Sequence, residues 1–389
     1  MKKCHTFSSS LNIQIAFVLS DKFEIWVVLT AVAYMRYNQQ VIECTLSFYW
    51  RFEMFFSRAE LDKHGKVFLE ENPSKADRDA ALDMLSEWRK LHYIPMNTLQ
   101  ANLRNKCKRL NLKNYIIAQR IKRLPSIVTK LSRFPDMKLS RMQDIGGLRI
   151  ILPSIKNVYD LHNAFKRQRK NKHTLILPPK DYINEPKKDG YRSLHQVFKY
   201  QNTEKPELDG LRIELQIRTK LQHAWATAVE TLGVIEKSSF KTGGGDEKYR
   251  RFFVLCSALF AIQEKMPLPQ NVANDEAVIK KEFNQLLDEL KIIDKLKGIT
   301  AFSKHVSHSA DWYVLIFNYE KRVIKPVGFS NEAFDEAQEL YTSQERKNTP
   351  NSDVVLFSSD SFKELKKAYP NYFLDTTYFV REIQQYVHS

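Results

Sequence analysis

The feature that most restricts the fold of this chain is a strict alternation of apolar and polar residues over 211–218 (LRIELQIR). In a β-strand, alternate side chains point to opposite faces, so this pattern predicts one face in a core and one polar face. The apolar positions are Leu211, Ile213, Leu215 and Ile217, and the polar ones are Arg212, Glu214, Gln216 and Arg218. A polar row is ordinary on a solvated sheet, so an isolated strand leaves a structural and a functional interpretation equally open.

A second acid, Asp144, stands directly before the apolar run 145–152, which reads as a buried strand of a covered sheet. Many cations surround the two acids: Arg120, Lys122, Arg123, Lys130, Arg133, Lys180, Lys187 and Lys188. Mg²⁺ takes one or two carboxylates and shares phosphate oxygens, while Lys and Arg neutralise a transferring phosphoryl group. The set therefore suits a polyphosphate with its Mg²⁺. The alternative is that each lysine run is a solvated helix face.

The loop PKKDGYRSLH (186–195) is the most informative loop of the sequence. Pro186 and Gly190 indicate irregular backbone, and Tyr191 follows the glycine, where it can present its ring. A purine stacks on such a ring with roughly 1–3 kcal/mol. The alternative is a tyrosine packed in a hairpin.

Four segments, QRIKRLPSIVTKL, DIGGLRI, DYINEPKKDGYRSLH and ELQIRTKLQHAWA, occur in the order and spacing of the synthetase domain of the RelA/SpoT family. The resemblance covers about 97–240. It implies an α/β (mixed α+β) nucleotidyltransferase-like mixed sheet covered by helices, followed here by a smaller α/β C-terminal unit. The implied reaction moves the β,γ-pyrophosphate of ATP to the 3′-hydroxyl of GDP or GTP, which makes guanosine tetra- or pentaphosphate.

The resemblance also implies roles for individual residues. Asp144 resembles the Mg²⁺ ligand, and Glu214 the acid that activates the 3′-hydroxyl and shares the metal. The residues that resemble ATP contacts are Arg120 and Arg149 at adenine and Lys122 and Lys130 at the phosphates. Those that resemble acceptor contacts are Lys180, Lys187, Tyr191, His195 and Gln216.

Three points qualify the resemblance. Gly146 stands where the family commonly has Ala, and Asp189 where many members have Asn, which bears on selectivity for the acceptor base. Asp144 and Arg149 are five positions apart, so a regular strand would send them to opposite faces. Either a bulge at Gly146 and Gly147 re-aims one of them, or the two contact different parts of ATP.

Length and charge divide the chain into regions. Its 389 residues allow two or more units. Residues 243–389 hold 19 Lys and Arg against 21 Asp and Glu, a net charge of −2. Because the whole chain carries +16, the first 242 residues carry +18. A positive field of that kind attracts polyanions, including RNA. The expected regions are an apolar extension outside the core (1–56), a helical region (57–96), the synthetase domain (97–242) and a C-terminal unit (243–389) after the linker KTGGGDEK.

The apolar runs within 11–35 fall short of a spanning helix, so we expect no membrane attachment. The dispersed cysteines Cys4, Cys44, Cys107 and Cys256 fit a reducing cytoplasm. No His-Asp pair of a hydrolase domain is present, so we expect no alarmone hydrolysis. The C-terminal unit carries no visible chemistry, which suggests regulation, oligomerisation or neutralisation of the synthetase.

The helical and strand patterns predict a basic helix over 99–122, a helix over 158–170, and a hairpin of 192–200 with 210–218. A further helix from Thr219 is expected to cover the back of the sheet. After the linker, the patterns predict two helices (249–263 and 275–297), a hairpin, a helix (331–347) and the strand DVVLF.

Three functions remain open at this stage: a small alarmone synthetase, a toxin-like relative that pyrophosphorylates the 3′ end of tRNA or an adenine nucleotide under control of the C-terminal unit, and a catalytically silent nucleotide-binding protein.

Overall fold

The computed structural model describes residues 56–167, 173–235, 246–297, 310–318, 323–347, 352–358 and 376–387. It also describes four short strands (6–8, 14–19, 25–28 and 302–303) and residues 367 and 370. Within these residues, no helix is both long enough and apolar enough to cross a bilayer. The chain divides into two compact units, Met1–Phe55 and Phe56–Ser389.

The described part of the first unit is a three-stranded antiparallel sheet of β1 (Thr6–Ser8), β2 (Gln14–Leu19) and β3 (Ile25–Val28). Apolar and β-branched residues dominate β2 and β3, which favours extended structure. The rest of the predicted apolar extension lies outside the described residues.

The second unit is built on one mixed sheet with the strand order β6-β7-β8-β5-β4-β12-β10-β11-β9. The pairs β5–β8 and β11–β9 are parallel, and the other pairs are antiparallel. The strands are β4 (Ile116–Ile121), β5 (Gly146–Leu152), β6 (Thr174–Asp181), β7 (Leu194–Lys199), β8 (Arg212–Thr219), β9 (Phe302–Ser303), β10 (Trp312–Asn318), β11 (Val323–Phe329) and β12 (Ser352–Ser358).

Helices cover this sheet, which confirms the predicted mixed α/β class. They are α1 (Arg58–Val67), α2 (Lys75–Leu91), α3 (Tyr93–Arg109), α4 (Leu124–Arg133), α5 (Ile155–Lys166), α6 (Lys220–Ile235), α7 (Glu247–Glu264), α8 (Glu276–Leu290), α9 (Ile292–Lys297), α10 (Phe334–Lys347) and α11 (Thr377–Gln384). At the start of five of these helices, a side-chain oxygen of the N-cap residue accepts a hydrogen bond from a backbone N–H of the first turn. The five N-cap residues are Ser57, Ser74, Ser154, Asp246 and Asp275. These bonds satisfy donors that have no partner within the helix.

The predicted alternation in 211–218 holds in β8, whose apolar residues face a core shared with α3, α5 and α10. That core also receives Leu148 and Ile150 from β5 and Val314 from β10. One face of the sheet is therefore sealed by helices, and the polar side chains of β8 lie on the opposite face.

The predicted basic helix over 99–122 is wrong in its second half. Helix α3 ends at Arg109, and Asn111 and Asn114 adopt positive φ angles of 50° and 56°. Asparagine tolerates this left-handed conformation, which ends a helix. The following residues, IIAQRI, form β4, so Arg120 lies on a strand.

The sheet does not stop at the glycine linker. Strand β12 pairs with β4 through Phe357 opposite Arg120 and Ser358 opposite Gln119. The predicted C-terminal α/β part is present as β10, β11, α10 and β12, and its strands continue the sheet that carries β5 and β8. The predicted turn of its hairpin lies outside the described residues.

Candidate functional site

One face of the sheet gathers most of the polar side chains selected from the sequence. Residues opposite one another in a ladder share a face. Gln216 on β8 stands opposite Arg149 on β5 and opposite His195 on β7. His195 in turn stands opposite Lys180. The face therefore carries Arg120, Arg149, Lys180, His195, Glu214, Gln216 and Arg218, in the registers of five adjacent strands.

Asp144 lies in the loop before β5, beside this face. Its two carboxylate oxygens each accept a bond of 2.8 Å, Oδ2 from Lys122 Nζ and Oδ1 from Lys130 Nζ. Burial alone would raise the pKa of Asp144, but the two ammonium groups outweigh it and lower that pKa. The carboxylate is thus held ionised between two cations.

The position of Asp144 shows whether a bulge is needed to bring Asp144 and Arg149 to the same side of the sheet. The pairing of β5 with β4 and with β8 runs through Gly146 and Gly147 without a shift, so no bulge is present. Asp144 precedes the strand, and strand alternation does not apply to it. At Gly146, a Cβ atom would lie 3.0 Å from the side chains of Met96 and Ile213, so this core is fitted to glycine.

Glu214 is held by two neighbours on the polar face. Its Oε1 lies 2.9 Å from His195 Nδ1, and its Oε2 accepts a bond of 2.9 Å from Gln216 Nε2. Burial would raise the pKa of Glu214, but His195 and the hydrogen bonds lower it strongly. Burial lowers the pKa of His195, whereas Tyr191 and Glu214 raise it, and the net direction is upward.

Tyr191 continues this chain of hydrogen bonds. Its phenol oxygen lies 2.7 Å from His195 Nε2 and accepts a bond of 2.6 Å from Arg218 Nη2. Burial would raise the pKa of Tyr191, but Arg218 and His195 lower it to about 7. The ring is only 8% exposed. Glu214, His195, Tyr191 and Arg218 therefore form one connected polar chain.

The loop before Tyr191 is shaped by its neighbours. Gly190 has a φ of +87°, and Asp189 Oδ1 accepts the Tyr191 N–H at 3.0 Å. Ser257 Oγ on α7 donates to Gly190 O at 2.6 Å. Asp189 thus serves the turn with a side-chain oxygen of a kind that asparagine also offers.

The cation Lys187 lies over two rings. Its Nζ is 4.3 Å from the centre of the Tyr182 ring and 4.9 Å from that of Tyr191. Lys180 is exposed and sits at the outer edge of the same face. The predicted acceptor-side residues therefore come together around the start of β7.

On the other side of Glu214, Arg149 is buried and donates to Gln216 Oε1 at 3.5 Å. Arg120 is partly exposed on β4. Because Arg120 pairs with Gly147 and Arg149 with Ala118, the two arginines are diagonal neighbours on one face. The predicted ATP-side residues are thus near one another.

The sequence interpretation did not assign two residues that the structure places in this cluster. Arg218 was recognised as polar but received no role, although the alternation that selected Glu214 and Gln216 also selects it. Tyr182, in the segment DYINEP, carries no local signal for its position beside Lys187. Its proximity depends on the turn that follows β6.

In the described part of the chain, no three His, Cys, Asp or Glu side chains are grouped as a metal site. Asp144 and Glu214 are near enough that the charge of Glu214 opposes ionisation of Asp144. A pair of carboxylates fits Mg²⁺, which takes one or two of them and fills its other positions with water and substrate phosphates.

Comparison with known proteins agrees with the resemblance seen in the sequence. Residues 119–243 match the family model described as a region found in RelA / SpoT proteins, which confirms the predicted resemblance over that segment.

Two curated proteins of Bacillus subtilis are similar to part of this chain. The GTP pyrophosphokinase YwaC is 35% identical over 114 residues, which are 28% of this chain and 52% of YwaC. The GTP pyrophosphokinase YjbM is 31% identical over 118 residues, 30% of this chain and 54% of YjbM. The chain thus spans about half the length of the curated relatives it matches. Among solved structures, small alarmone synthetase 2 from Bacillus subtilis overlaps 46% of this chain and 93% of its own, at 23% identity and a TM-score of 0.40.

Proposed function

We propose that the chain is a pyrophosphokinase that transfers the β,γ-pyrophosphate of ATP to the 3′-hydroxyl of GDP or GTP. The observation that carries the proposal is a pair of carboxylates with different partners, Glu214 on the polar face and Asp144 in the loop beside it. Asp144 is paired with two lysines, and Glu214 is hydrogen-bonded to a histidine-tyrosine pair. The match of residues 119–243 to the family model and the similarity of part of the chain to two GTP pyrophosphokinases support the same reaction.

ATP is proposed to bind on the side of Asp144. Diagonal neighbours on a sheet are separated by roughly 7–8 Å, which leaves room for a planar base between Arg120 and Arg149. Guanidinium groups stack well on such rings. Lys122 and Lys130 then meet the phosphates, where cations neutralise the charge that develops during transfer.

Mg²⁺ is proposed to bind at Asp144 and Glu214 together with the phosphates of ATP. The ion would supply Lewis-acid charge at the transferring group. The proposal requires the ammonium groups of Lys122 and Lys130, which bond Asp144, to turn toward the phosphates when the cation shares that carboxylate. Because the metal ligands are few, the phosphates themselves complete the site.

Glu214 is proposed to orient the 3′-hydroxyl and to accept its proton as the oxygen attacks the β-phosphorus of ATP. The bond from that phosphorus to the oxygen bridging the α- and β-phosphates breaks, and AMP leaves. A carboxylate with a strongly lowered pKa is always ionised but is a weak base. An acceptor hydroxyl that takes the place of Gln216 Nε2 would donate its own hydrogen bond to Oε2 of Glu214, the oxygen that then accepts its proton.

The acceptor is proposed to lie over Lys180, Lys187, Tyr191 and Gln216. The first two cations suit its 5′-phosphates. The buried phenol of Tyr191 bonds His195 and Arg218, so its proposed contact with the base uses the ring and leaves the hydroxyl engaged. We also propose a cytoplasmic location, because the described cysteines Cys107 and Cys256 are buried free thiols.

A second candidate is transfer to the 3′ end of tRNA or to an adenine nucleotide. The +18 charge of the first 242 residues favours it, since a strong positive field attracts a nucleic acid. The C-terminal part, with its near-neutral charge, would then control the reaction. Association of copies of the chain is the other role that we propose for the C-terminal part.

The test is a transfer assay with ATP labelled at the γ-phosphate and Mg²⁺, in which GDP, GTP, ATP and bulk tRNA are offered together. We expect the label on GDP or GTP. Label on tRNA or on an adenine nucleotide alone would replace the first candidate by the second. No consumption of ATP with any acceptor would contradict both.

A further inference from the structure

A buried ion pair joins two helices that are far apart in the sequence. Arg89 on α2 and Glu345 on α10 meet at 2.7 Å between Nη1 and Oε2, and their side chains are 1% and 5% exposed. A second bond, from Nη2 to Oε1, measures 3.3 Å. The pair is therefore bidentate, the arrangement that fixes a guanidinium and a carboxylate most rigidly.

Both partners also bind the backbone of the segment 122–124. Arg89 Nη2 donates to Lys122 O at 2.8 Å, and Glu345 Oε1 accepts the N–H of Leu124 at 3.1 Å. The N–H of Lys122 donates to Ile145 O at 2.9 Å. The chain on both sides of Arg123 is thus fixed by three bonds that reach other parts of the fold.

This segment leads into the two lysines that hold Asp144. Leu124 is the first residue of α4, and Lys130 lies in the last turn of that helix. Glu345 places a negative charge at the N-terminus of α4, where the free N–H groups and the helix dipole favour an anion. Arg123 at the N-cap makes no side-chain cap bond, so the cap is supplied by Glu345, which is 221 positions from the Leu124 N–H that it accepts.

We propose that Arg89 and Glu345 are a positioning pair for the ATP phosphates, because they fix the 122–124 segment and so hold Lys122 and Lys130 in place. The proposal rests on the proposed function, since it assumes that these lysines meet a nucleoside triphosphate. It makes α10, in the C-terminal part of the chain, a component of the donor site.

A purely structural role would not need these residue types. Two apolar side chains of similar size often replace a buried ion pair without loss of stability. Such side chains cannot accept the N–H of Leu124 or donate to the carbonyl of Lys122. Glu345 Oε1 also accepts the hydroxyl of Tyr341 at 2.6 Å, a contact within α10, but only the two backbone bonds of the charged pair reach the 122–124 segment.

The decisive variant is the double substitution Arg89→Met with Glu345→Leu, which fills the same space and leaves no unpaired charge. We expect its Kd for a non-hydrolysable ATP analogue, and its KM for ATP, to rise about tenfold, because two hydrogen bonds to the lysine-bearing segment are lost. The KM for the acceptor nucleotide should change less than about twofold. Glu345→Asp, which keeps the charge but shortens its reach, is the second variant and should shift the same two quantities in the same direction.

The matched control is Asp83→Asn. Asp83 on α2 pairs with Arg346 on α10 at the surface, so it joins the same two helices without contacting the 122–124 segment. The control should leave both constants unchanged. The proposal is overturned if the double variant and Glu345→Asp bind the ATP analogue as wild type does. It is also overturned if the KM for ATP and the KM for the acceptor nucleotide rise by the same factor.

The outcome separates this proposal from the proposed function. If the wild-type chain binds the ATP analogue but transfers pyrophosphate to no acceptor, the proposed function fails while the ATP-binding comparison still decides the role of the pair. If transfer occurs and the variants bind ATP normally, the function stands and the positioning pair fails.

Discussion

At the scale of single residues, the hydrogen bonds that link Glu214, His195, Tyr191 and Arg218 determine which groups carry protons in the site. Tyr191 lies in the middle of this polar chain, and its phenol bonds both His195 and Arg218. A pKa of about 7 means that this tyrosine changes its ionisation state near neutral pH. Its usual pKa, about 10, would keep the phenol neutral there.

We predict that Tyr191 ionises with a midpoint near pH 7, because Arg218 and His195 favour the phenolate. The sign for stability follows: a folded pKa below the unfolded one contributes stability that is fully present above about pH 10 and is lost as pH falls through about 7. Ultraviolet absorbance of tyrosinate measures the ionisation. The near-neutral transition should vanish in Tyr191→Phe and persist in the control Tyr182→Phe. A Tyr191→Phe variant with the same titration curve as wild type would contradict the prediction.

The sequence predicted which residues form the polar cluster better than it predicted how deeply those residues are buried. Alternation in β8 was sufficient to select Glu214 and Gln216, because every second residue of a strand shares a face. It did not show that Tyr191 is buried. That burial arises from packing against Trp225 on α6 and from a core shared with residues of α7, which no local pattern contains.

At the scale of secondary-structure elements, α7 supports the loop that presents Tyr191. Ser257 bonds Gly190 O, Trp225 Nε1 donates to Phe253 O at 2.7 Å, and Glu264 pairs with the buried Arg192 at 2.7 Å. The loop of the proposed acceptor site therefore depends on a helix that follows the glycine linker. Its position is set by packing, not by its own sequence.

We predict that Gly190→Ala destabilises the fold more than Gly210→Ala. Both glycines have positive φ, +87° and +77°, so the strain of a Cβ is similar, roughly 1–2 kcal/mol. At Gly190 the Cβ would also lie 3.1 Å from Ser257 and from Trp225, and tight packing of this kind adds roughly 1–3 kcal/mol. At Gly210 the neighbours are the flexible ends of Arg58 and Lys199. Urea unfolding of the two variants measures the difference, and equal losses would contradict the prediction.

The elements themselves were predictable where one periodicity dominated. Strands β5, β7 and β8 and helices α7 and α10 lie close to their predicted ranges. The failure at 99–122 has a physical cause: the basic character of the segment continues past Arg109, whereas the left-handed Asn111 and Asn114 turn the chain into β4. Charge does not distinguish a helix from a strand, and the β-branched pair at the start of IIAQRI was the missed signal.

At the scale of the whole second unit, one sheet runs from β6 to β9 and includes strands from both sides of the glycine linker. The pairing of β4 with β12 cannot be predicted from local sequence patterns, because hydrogen bonds between strands that are distant in the sequence do not produce a periodic pattern of residues. The sequence predicted an α/β part after residue 243 but not its place in the sheet. The ion pair of Arg89 with Glu345 was likewise invisible, since its partners are 256 residues apart.

We predict that the two parts stay together when the linker is cut. A protease site placed at Gly243–Gly245 should, after cleavage, give two pieces that co-elute and unfold in one cooperative transition. The reason is that α7 buries Phe252, Phe253 and Phe260 in a core that also contains residues of α6. The uncut variant is the control. Pieces that separate on a column without denaturant would contradict a shared fold.

The most direct test of the central claim, that this face transfers pyrophosphate with Glu214 at the acceptor hydroxyl, is single-turnover transfer by Glu214→Gln. With labelled ATP, Mg²⁺ and the acceptor that wild type uses, we predict a rate about 10²–10⁴ lower, the usual loss when a positioned base is removed. Binding of a non-hydrolysable ATP analogue should stay within about threefold, because the proposed phosphate contacts, Lys122 and Lys130, remain.

The control is Glu204→Gln, the same change at an exposed residue of the loop between β7 and β8, and it should transfer at the wild-type rate. A Glu214→Gln variant that transfers pyrophosphate at that rate would contradict the account.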